Sequence, residues 1–142
     1  MNVNFRQAQE SDLDFLIDLR KVTMNNHLKK VSGAIDDKSH IDRIMYRFDA
    51  AKIVLVDGIK AGLLKSHYDE TGWVIVQVQI SPKYQGKGIG SKMVNSVLEQ
   101  AAIDECVVTL SVLKGNPAKE LYSRLGFEVI SESEAEYTMR TK

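Results

Sequence analysis

Between Ile53 and Ala101 the hydrophobic period of the chain changes once, and glycine marks the change. Ile53–Val56 and Ile59–Leu64 are apolar runs around Asp57-Gly58, a pair favoured in a type I′ hairpin because both central residues need positive φ. A polar break, Asp69–Gly72, leads into Trp73–Ile80. There Val74, Val76, Val78 and Ile80 alternate with Trp73, Ile75, Gln77 and Gln79, which reads as a strand buried on one face and partly polar on the other. Ser81–Gly90 then carries three glycines and one proline. It opens a helix of about 15 residues, in which Ile89, Met93, Val97 and Ala101 recur every fourth position. A strand, a glycine loop and a helix in that order restrict the fold to one that mixes both kinds of element.

The flanking segments extend this pattern. Val3–Arg6 reads as a strand, and Ser11 stands three residues before Asp14, the spacing of a capping box. Leu13, Leu16 and Ile17 share a face of the helix that follows, which continues or kinks through Val22 to Leu28 until Ser32-Gly33 breaks it. Asp36, Asp37 and Ser39 offer caps for a second helix with Ile41, Ile44, Met45 and Phe48 on its apolar face. Val107–Val112 is a further strand. Asn116 and Pro117 suit the N-cap and first position of a helix that Gly126 ends as the C′ residue. Phe127–Ile130 and Tyr137–Arg140 are two final strands around a polar turn, Ser131–Glu136. A chain of 142 residues without repeat or linker is expected to form one domain, 1–142, with one sizeable core.

Charge and cysteine content narrow the function. Lys+Arg and Asp+Glu are 19 each, so the formal charge is zero. That argues against a dedicated nucleic-acid binder, which carries a basic excess. No run approaches the ~20 apolar residues of a membrane span, and no signal peptide follows Met1–Asn4. One cysteine, Cys106, excludes an internal disulfide and a multi-cysteine zinc site. A soluble, cytoplasmic protein without a metal is expected.

The glycine loop has a physical use. Glycine lets a backbone approach a ligand without Cβ clashes, and the free N–H groups and partial positive charge of a helix start suit phosphate. Between Glu70 and Glu99 the only charges are Lys83, Lys87 and Lys92, a window of +3 in a neutral chain. The loop is not a P-loop, because its helix begins Gly90-Ser91-Lys92 rather than Gly-Lys-Ser/Thr. It is not a Rossmann fingerprint either. The third glycine comes one residue early, and the preceding strand follows a hairpin rather than opening a βαβ unit.

Gln85-x-x-Gly88-x-Gly90, preceded by Ile80-Ser81-Pro82, resembles the acyl-CoA-binding motif of the GNAT superfamily of N-acetyltransferases, Q/R-x-x-G-x-G/A after a central strand. Val112-Leu113-Lys114-Gly115-Asn116-Pro117-Ala118, followed by Leu121-Tyr122 and Leu125-Gly126-Phe127, resembles the superfamily's second conserved block. The order of elements matches along nearly the whole chain. The resemblance implies an α/β fold of mixed α+β kind, a strongly twisted mixed sheet of six or seven strands with helices on both faces. It implies that Trp73–Ile80 and Val107–Val112 splay apart to admit the pantetheine arm of acetyl-CoA. It further implies that the backbone of Gln85, Gly86, Lys87, Gly88, Ile89 and Gly90, with Ser91 at the helix start, holds the pyrophosphate. The pantetheine then pairs with Val78, Gln79 and Ile80 like an added strand, and Asn116 contacts it. Lys83, Lys87 and Lys92 either help hold the phosphates or are solvated surface lysines.

Acetyl transfer to an amine needs a neutral nucleophile, donors for the developing oxyanion, and a proton for the leaving thiolate. Tyr122, six residues after Asn116, corresponds to the family's catalytic tyrosine; the alternative is a core residue on the face of Ala118, Leu121 and Leu125. Many relatives place a glutamate on the strand before the loop, whereas Trp73–Ile80 holds no Asp or Glu. Gln77 and Gln79 can orient substrate or water but cannot take a proton at neutral pH. His27, His40 and His67 have suitable pKa values but are scattered along the chain. Cys106 reads as a structural thiol rather than an acyl carrier. The acceptor is expected against the helical region Lys21–Phe48, where Met24, His27 and Tyr46, together with Trp73 and Gln77, either line a pocket or pack in the core. Asp36 and Asp37 either attract a cationic amine or cap a helix. The expected activity is transfer of an acetyl group from acetyl-CoA to a primary amine of a small molecule or peptide. The alternative is a module of the same fold that binds acyl-CoA without turnover. The resemblance also allows homodimer contacts.

Overall fold

The computed structural model describes the backbone of residues 1–32 and 37–142 and the side chains of residues 1–23 and 38–142. The strands are β1 (Val3–Gln7), β2 (Ala51–Val56), β3 (Ile59–Asp69), β4 (Gly72–Ile80), β5 (Val108–Leu113), β6 (Glu128–Glu132) and β7 (Glu136–Arg140). The helices are α1 (Leu13–Ser32), α2 (Asp37–Met45), α3 (Ile89–Ile103) and α4 (Ala118–Arg124). One seven-stranded sheet runs in the order β1-β2-β3-β4-β5-β7-β6. It is mixed: β1–β2, β2–β3, β5–β7 and β6–β7 are antiparallel, and β4–β5 is parallel. Two compact units divide the chain, Met1–Lys65 with Gln77–Gly90, and Ser66–Val76 with Ser91–Lys142, so β3 and β4 pass through both.

In the first unit the β2–β3 turn has the expected geometry. Asp57 and Gly58 have φ of 51° and 83°, and the Asn2 N–H donates to Asp57 Oδ1 at 2.8 Å. Ala8, Leu16, Leu19, Ile44, Ala51, Ile53 and Leu63 form its core. The helix entry differs from the expected Ser11–Asp14 box. A short 3₁₀ turn, Glu10–Asp12, precedes α1, and it is Asp12 that reaches back to accept the Gln9 N–H at 2.8 Å. Asp12 is 1% exposed, takes both guanidinium nitrogens of Arg6 at 2.9 Å, and pairs with Lys60 Nζ at 2.6 Å. Chiefly the Arg6 bond, with Lys60 and Gln9 adding to it, holds this carboxyl well below the ordinary range against the opposing effect of burial.

The α1 helix runs without interruption to Ser32. The Gly33 break and the Asp36 cap lie outside the described residues, as do the side chains of Met24, His27 and Asp37. On α2 the buried residues are His40 and Ile44, while Ile41 and Met45 are exposed and Ser39 lies inside the helix rather than capping it. The apolar face therefore sits one residue earlier than the periodicity indicated. Phe48 falls in a separate 3₁₀ turn, Phe48–Ala50, and so does not extend the stripe. Sequence reading also ended β3 at Leu64, whereas the strand continues to Asp69 and carries a lysine into the interior. Lys65 is 0% exposed, and its Nζ donates to the carbonyls of Arg43 (3.1 Å), Ile44 (2.9 Å) and Tyr46 (2.5 Å), closing the C-terminal end of α2.

In the second unit β4 and β5 pair through Trp73↔Val108, Val74↔Thr109 and Ile75↔Leu110. Gly72 is required there, since a Cβ would lie 2.5 Å from the Val107 carbonyl oxygen at φ of 125°. Met93, Val97 and Ala101 of α3 are buried, as the four-residue spacing predicts. The α4 helix ends in a Schellman motif: the Gly126 N–H donates to the Ser123 carbonyl and the Phe127 N–H to the Tyr122 carbonyl, with Gly126 at φ of 101°. The final turn contracts to residues 133–135, because β6 extends to Glu132.

Candidate functional site

The glycine loop belongs to the first unit. A 3₁₀ turn, Pro82–Tyr84, carries the chain off β4. The Gln85 side chain then donates from Nε2 to the Ile80 carbonyl at 2.9 Å and ties the loop to the strand end. Its backbone N–H is spent on Pro82 at 3.2 Å. Gly86 and Gly88 have φ of 75° and 79°, and a Cβ at either would meet nothing within 4 Å. They are therefore required by backbone conformation rather than by crowding. With both left-handed, the chain turns into α3 so that Ile89, Gly90 and Ser91 are its first residues, whose N–H groups have no partner one turn back. Lys87 and Lys92 are exposed, and Lys83 lies over the Tyr84 ring at 5.2 Å. Gln85 thus serves as a loop strut, and its backbone N–H, expected from the resemblance to help hold a pyrophosphate, is already paired within the turn.

On β4 the faces are reversed from the sequence reading. Ile75, Gln77 and Gln79 are buried, whereas Val74, Val76, Val78 and Ile80 are only half-buried. Hydrophobicity assigns the valine row to the interior, yet the strand commits two amides there. Gln77 is 9% and Gln79 is 4% exposed, and Gln77 Oε1 and Gln79 Nε2 have no hydrogen-bond partner among the described residues. The same unit contains a small cavity of about 150 Å³ lined by Phe15, Asp18, Leu19, Val22, Ser81 and Pro82. Its α1 residues follow an i, i+3, i+4, i+7 row, and only Val22 falls within the Lys21–Phe48 stretch expected to wall the acceptor. Phe15 and Asp18 were not singled out from sequence, where helix periodicity alone does not distinguish a cavity from a core.

The second unit holds Asn116, Tyr122 and Trp73. Asn116 Oδ1 accepts the Ala118 N–H at 2.9 Å, the expected capping contact, with Pro117 rather than Asn116 at the N-cap position. Tyr122 is 7% exposed and packs edge-on against Phe127, with ring centroids 5.9 Å apart. Burial pushes its hydroxyl up to about 12. Trp73 donates from Nε1 to Asp104 Oδ2 at 2.8 Å and packs against Tyr68 at 5.9 Å. It stands at the start of β4, whereas the glycine loop follows the strand's end. His40 is fully buried on α2, His67 is half-buried on β3, and Tyr46 is exposed. The His27 side chain lies outside the described residues. Cys106 is a half-buried free thiol. Among the described residues no group of three or more His, Cys, Asp or Glu could hold a metal ion, and no helix is long and apolar enough to cross a membrane.

This architecture is that of known N-acetyltransferases. It matches the PaiA N-acetyltransferase of Thermoplasma acidophilum, solved with coenzyme A, at a TM-score of 0.78 and 14% identity over 100% of this chain and 99% of that one. It matches PH1933 of Pyrococcus horikoshii at 0.79 and 20% identity, over 99% and 98% of the two chains. Naa50 of Arabidopsis thaliana, bound to the bisubstrate analogue CoA-Ac-MVNAL, matches at 0.69 and 22% identity over 100% and 99%. A family model described as acetyltransferase (GNAT) domain matches residues 48–129, more than half of the sequence, and the chain belongs to that family. Thialysine N-epsilon-acetyltransferase of Bos taurus is 37% identical over 65 residues, which are 44% of this chain and 38% of that protein. The match thus spans well under half of that relative's length.

Proposed function

We propose that the chain is an acetyl-CoA-dependent N-acetyltransferase that passes the acetyl group directly to a primary amine of a small molecule or peptide. The observation that carries the reading is the loop in which Gly86 and Gly88, both at positive φ, open α3 inside the family's own motif. In this reading the N–H groups of Gly86–Ser91 hold the pyrophosphate, and the backbone of Val78–Ile80 holds the pantetheine arm as an added strand. Asn116 reaches the pantetheine while it caps α4.

Tyr122 is proposed as the donor to the leaving sulfur. With its hydroxyl near 12 it stays protonated at neutral pH. Full transfer to a thiolate whose acid is near 8.5 is uphill by ~3.5 units, or ~5 kcal/mol. A hydrogen bond that strengthens as charge develops on sulfur avoids most of that cost. No carboxylate lies on β4 to take the acceptor's proton. In this reading the acceptor's proton leaves either through a water chain to an acid elsewhere or before binding, and in the second case kcat/KM rises with pH up to the amine's own pKa. The reading keeps a cytoplasmic location and allows a homodimer; neither enters the chemistry.

The test is titration calorimetry with acetyl-CoA, with ATP and NAD as controls, followed by thiol-release assays with a panel of amines. Selective micromolar binding and amine-dependent CoA release are expected. Binding without release would assign a sensor, and no binding would remove the cofactor assignment.

A further inference from the structure

The cavity of the first unit holds a carboxylate on an otherwise apolar row. Phe15, Asp18, Leu19 and Val22 of α1 face Ser81 and Pro82 across it. Asp18 makes no ion pair among the described residues. Its charged neighbours one turn away on α1 are Asp14 and Lys21. From β3, Lys60 lies over the Phe15 ring at 5.8 Å, but its ammonium is held by Asp12 at 2.6 Å. Ser81 and Pro82 bring no charge, and Lys83 of the same turn lies over Tyr84. Ser81 is the second signal. It occupies the N-cap position of the Pro82–Tyr84 turn, where a serine side chain ordinarily bonds a free N–H, yet it makes no capping bond. Its backbone N–H is committed to the Ala61 carbonyl at 2.8 Å, which leaves the hydroxyl to face the cavity as donor and acceptor. A cavity of about 150 Å³ has room for several waters, and the carboxylate and hydroxyl give them polar partners. Asp18 and Val22 are exposed, so the α1 side of the cavity meets solvent.

We propose that Asp18 is the proton exit of the acetyl transfer: the acceptor's ammonium gives up its proton through cavity waters and the Ser81 hydroxyl to this carboxylate, which passes it to solvent. The inference rests on the acetyltransferase reading, in which Val78–Ile80, directly before Ser81, carry the pantetheine arm. A file of three or four waters about 2.8 Å apart covers roughly 10 Å, the rise of three strand residues, so the carboxylate reaches along that segment. The nitrogen loses two protons in all. The first turns R–NH₃⁺ into R–NH₂ as the Asp18 carboxylate becomes the acid, and loss of that proton to solvent restores the carboxylate. The neutral amine then forms the C–N bond while the C–S bond breaks, and the second proton ends on the CoA thiol. Asp18 acts through the waters, so it is a positioning residue that does not touch the substrate. It stands in for a base on β4, where there is none. The need is large, since at pH 7.5 only about one part in a thousand of an alkylamine near pKa 10.4 is neutral.

Two amines separate this role from a structural one at a single pH. Propylamine is cationic at pH 7.5, whereas 2,2,2-trifluoroethylamine, whose fluorines withdraw charge from nitrogen, is largely neutral. Asp18→Asn is expected to lower kcat/KM for propylamine about 10²-fold and to leave that for trifluoroethylamine within about twofold. Asp18→Glu is expected to bring propylamine turnover back to within about tenfold of the wild type. An equal loss for both amines, or a loss for neither, would overturn the proposal. Asp18 is exposed, so the substitutions should fold, and affinity for acetyl-CoA by calorimetry checks that they do. A second readout needs no turnover. In the full chain with CoA bound, the backbone amide NMR signals of Asp18 and Ser81 are expected to shift on addition of propylamine but not of propan-1-ol, and the Ser81 shift to vanish in Asp18→Asn. Equal shifts from the alcohol, or none from either, would contradict the assignment. A wild type that binds acetyl-CoA but releases no CoA with either amine removes the activity reading and this assignment together. A wild type that turns over both amines, with Asp18→Asn impaired for neither, removes the assignment alone.

Discussion

Lys65 makes the sharpest claim about the energetics of this fold, and it can be tested by pH alone. Its ammonium is 0% exposed and bonded to three carbonyls at the end of α2. Burial, reinforced by repulsion from Arg43 and Arg20 and opposed by Asp49, lowers its pKa from 10.5 to about 8. Between those values the unfolded chain holds a proton that the folded chain has released, so stability rises with pH. Integrating this difference from pH 7 to pH 10 gives about 2.5 kcal/mol of added stability from this one group. Lys65→Met removes the titration. The variant also loses three bonds to carbonyls and sheds a costly buried charge, so its stability at pH 7 mixes opposing effects. The double difference does not: the gap between the two proteins should move by about 2.5 kcal/mol in favour of the wild type from pH 7 to pH 10. Urea midpoints followed by circular dichroism at both pH values measure it. The window avoids Tyr122, whose raised pKa makes stability fall only above about pH 10. A gap that stays constant would refute the claim that a depressed, buried ammonium closes α2.

Asp12→Asn should cost about 2–4 kcal/mol, toward the lower end of the range for breaking a buried pair because Arg6 and Lys60 are both about a third exposed and can turn to water. Because the Asp12 pKa is depressed in the fold, its contribution is full above the unfolded value near 3.9 and fades as pH falls below about 4. Acid unfolding of the Asn variant should lose that slope. Gly62→Ala and Gly88→Ala separate collision from strain. At Gly62 a Cβ lands on the Gln79 backbone carbonyl oxygen, so a loss above about 3 kcal/mol is expected. At Gly88 nothing lies within 4 Å and only the φ of 79° is strained, so the loss should be about 1–2 kcal/mol, with weaker acetyl-CoA binding by calorimetry. Tyr122→Phe keeps the edge-on packing against Phe127, so its melting temperature should change little while kcat falls about 10²-fold or more; unchanged turnover would remove the donor role.

Local chemistry explains which parts of this structure could be read from sequence. The Asp57-Gly58 hairpin, the Gly126 C-cap and the four-residue stripe of α3 are set by residues within one turn of each other, and each stands where the sequence placed it. The glycine loop was legible for the same reason, since positive φ at Gly86 and Gly88 is a local demand. The readings that shifted depend on contacts distant in sequence. Ser11 and Asp14 fit a capping box, but Arg6 and Lys60 gather around Asp12 and make it the residue that turns the chain into α1. On α2, periodicity favours Ile41, Ile44 and Met45; Ile44 is buried as expected, but His40 joins it in place of Ile41 and Met45, and the helix ends on the ammonium of Lys65. A lysine in a strand carries no sequence signal of burial, because the carbonyls that satisfy it come from another element.

The reversal on β4 follows the same logic. Hydrophobicity alone turns the row of Val74, Val76, Val78 and Ile80 inward, and a purely structural strand would comply. In this protein the inward row carries Gln77 and Gln79, and it leaves one acceptor and one donor unpaired in the interior. Each such atom costs about 1–3 kcal/mol if it stays unpaired, so the arrangement opposes stability wherever no partner arrives. Gln77→Met and Gln79→Met should then raise the melting temperature of the isolated protein. A lower melting temperature would instead mark the amides as ordinary core residues with partners inside the fold.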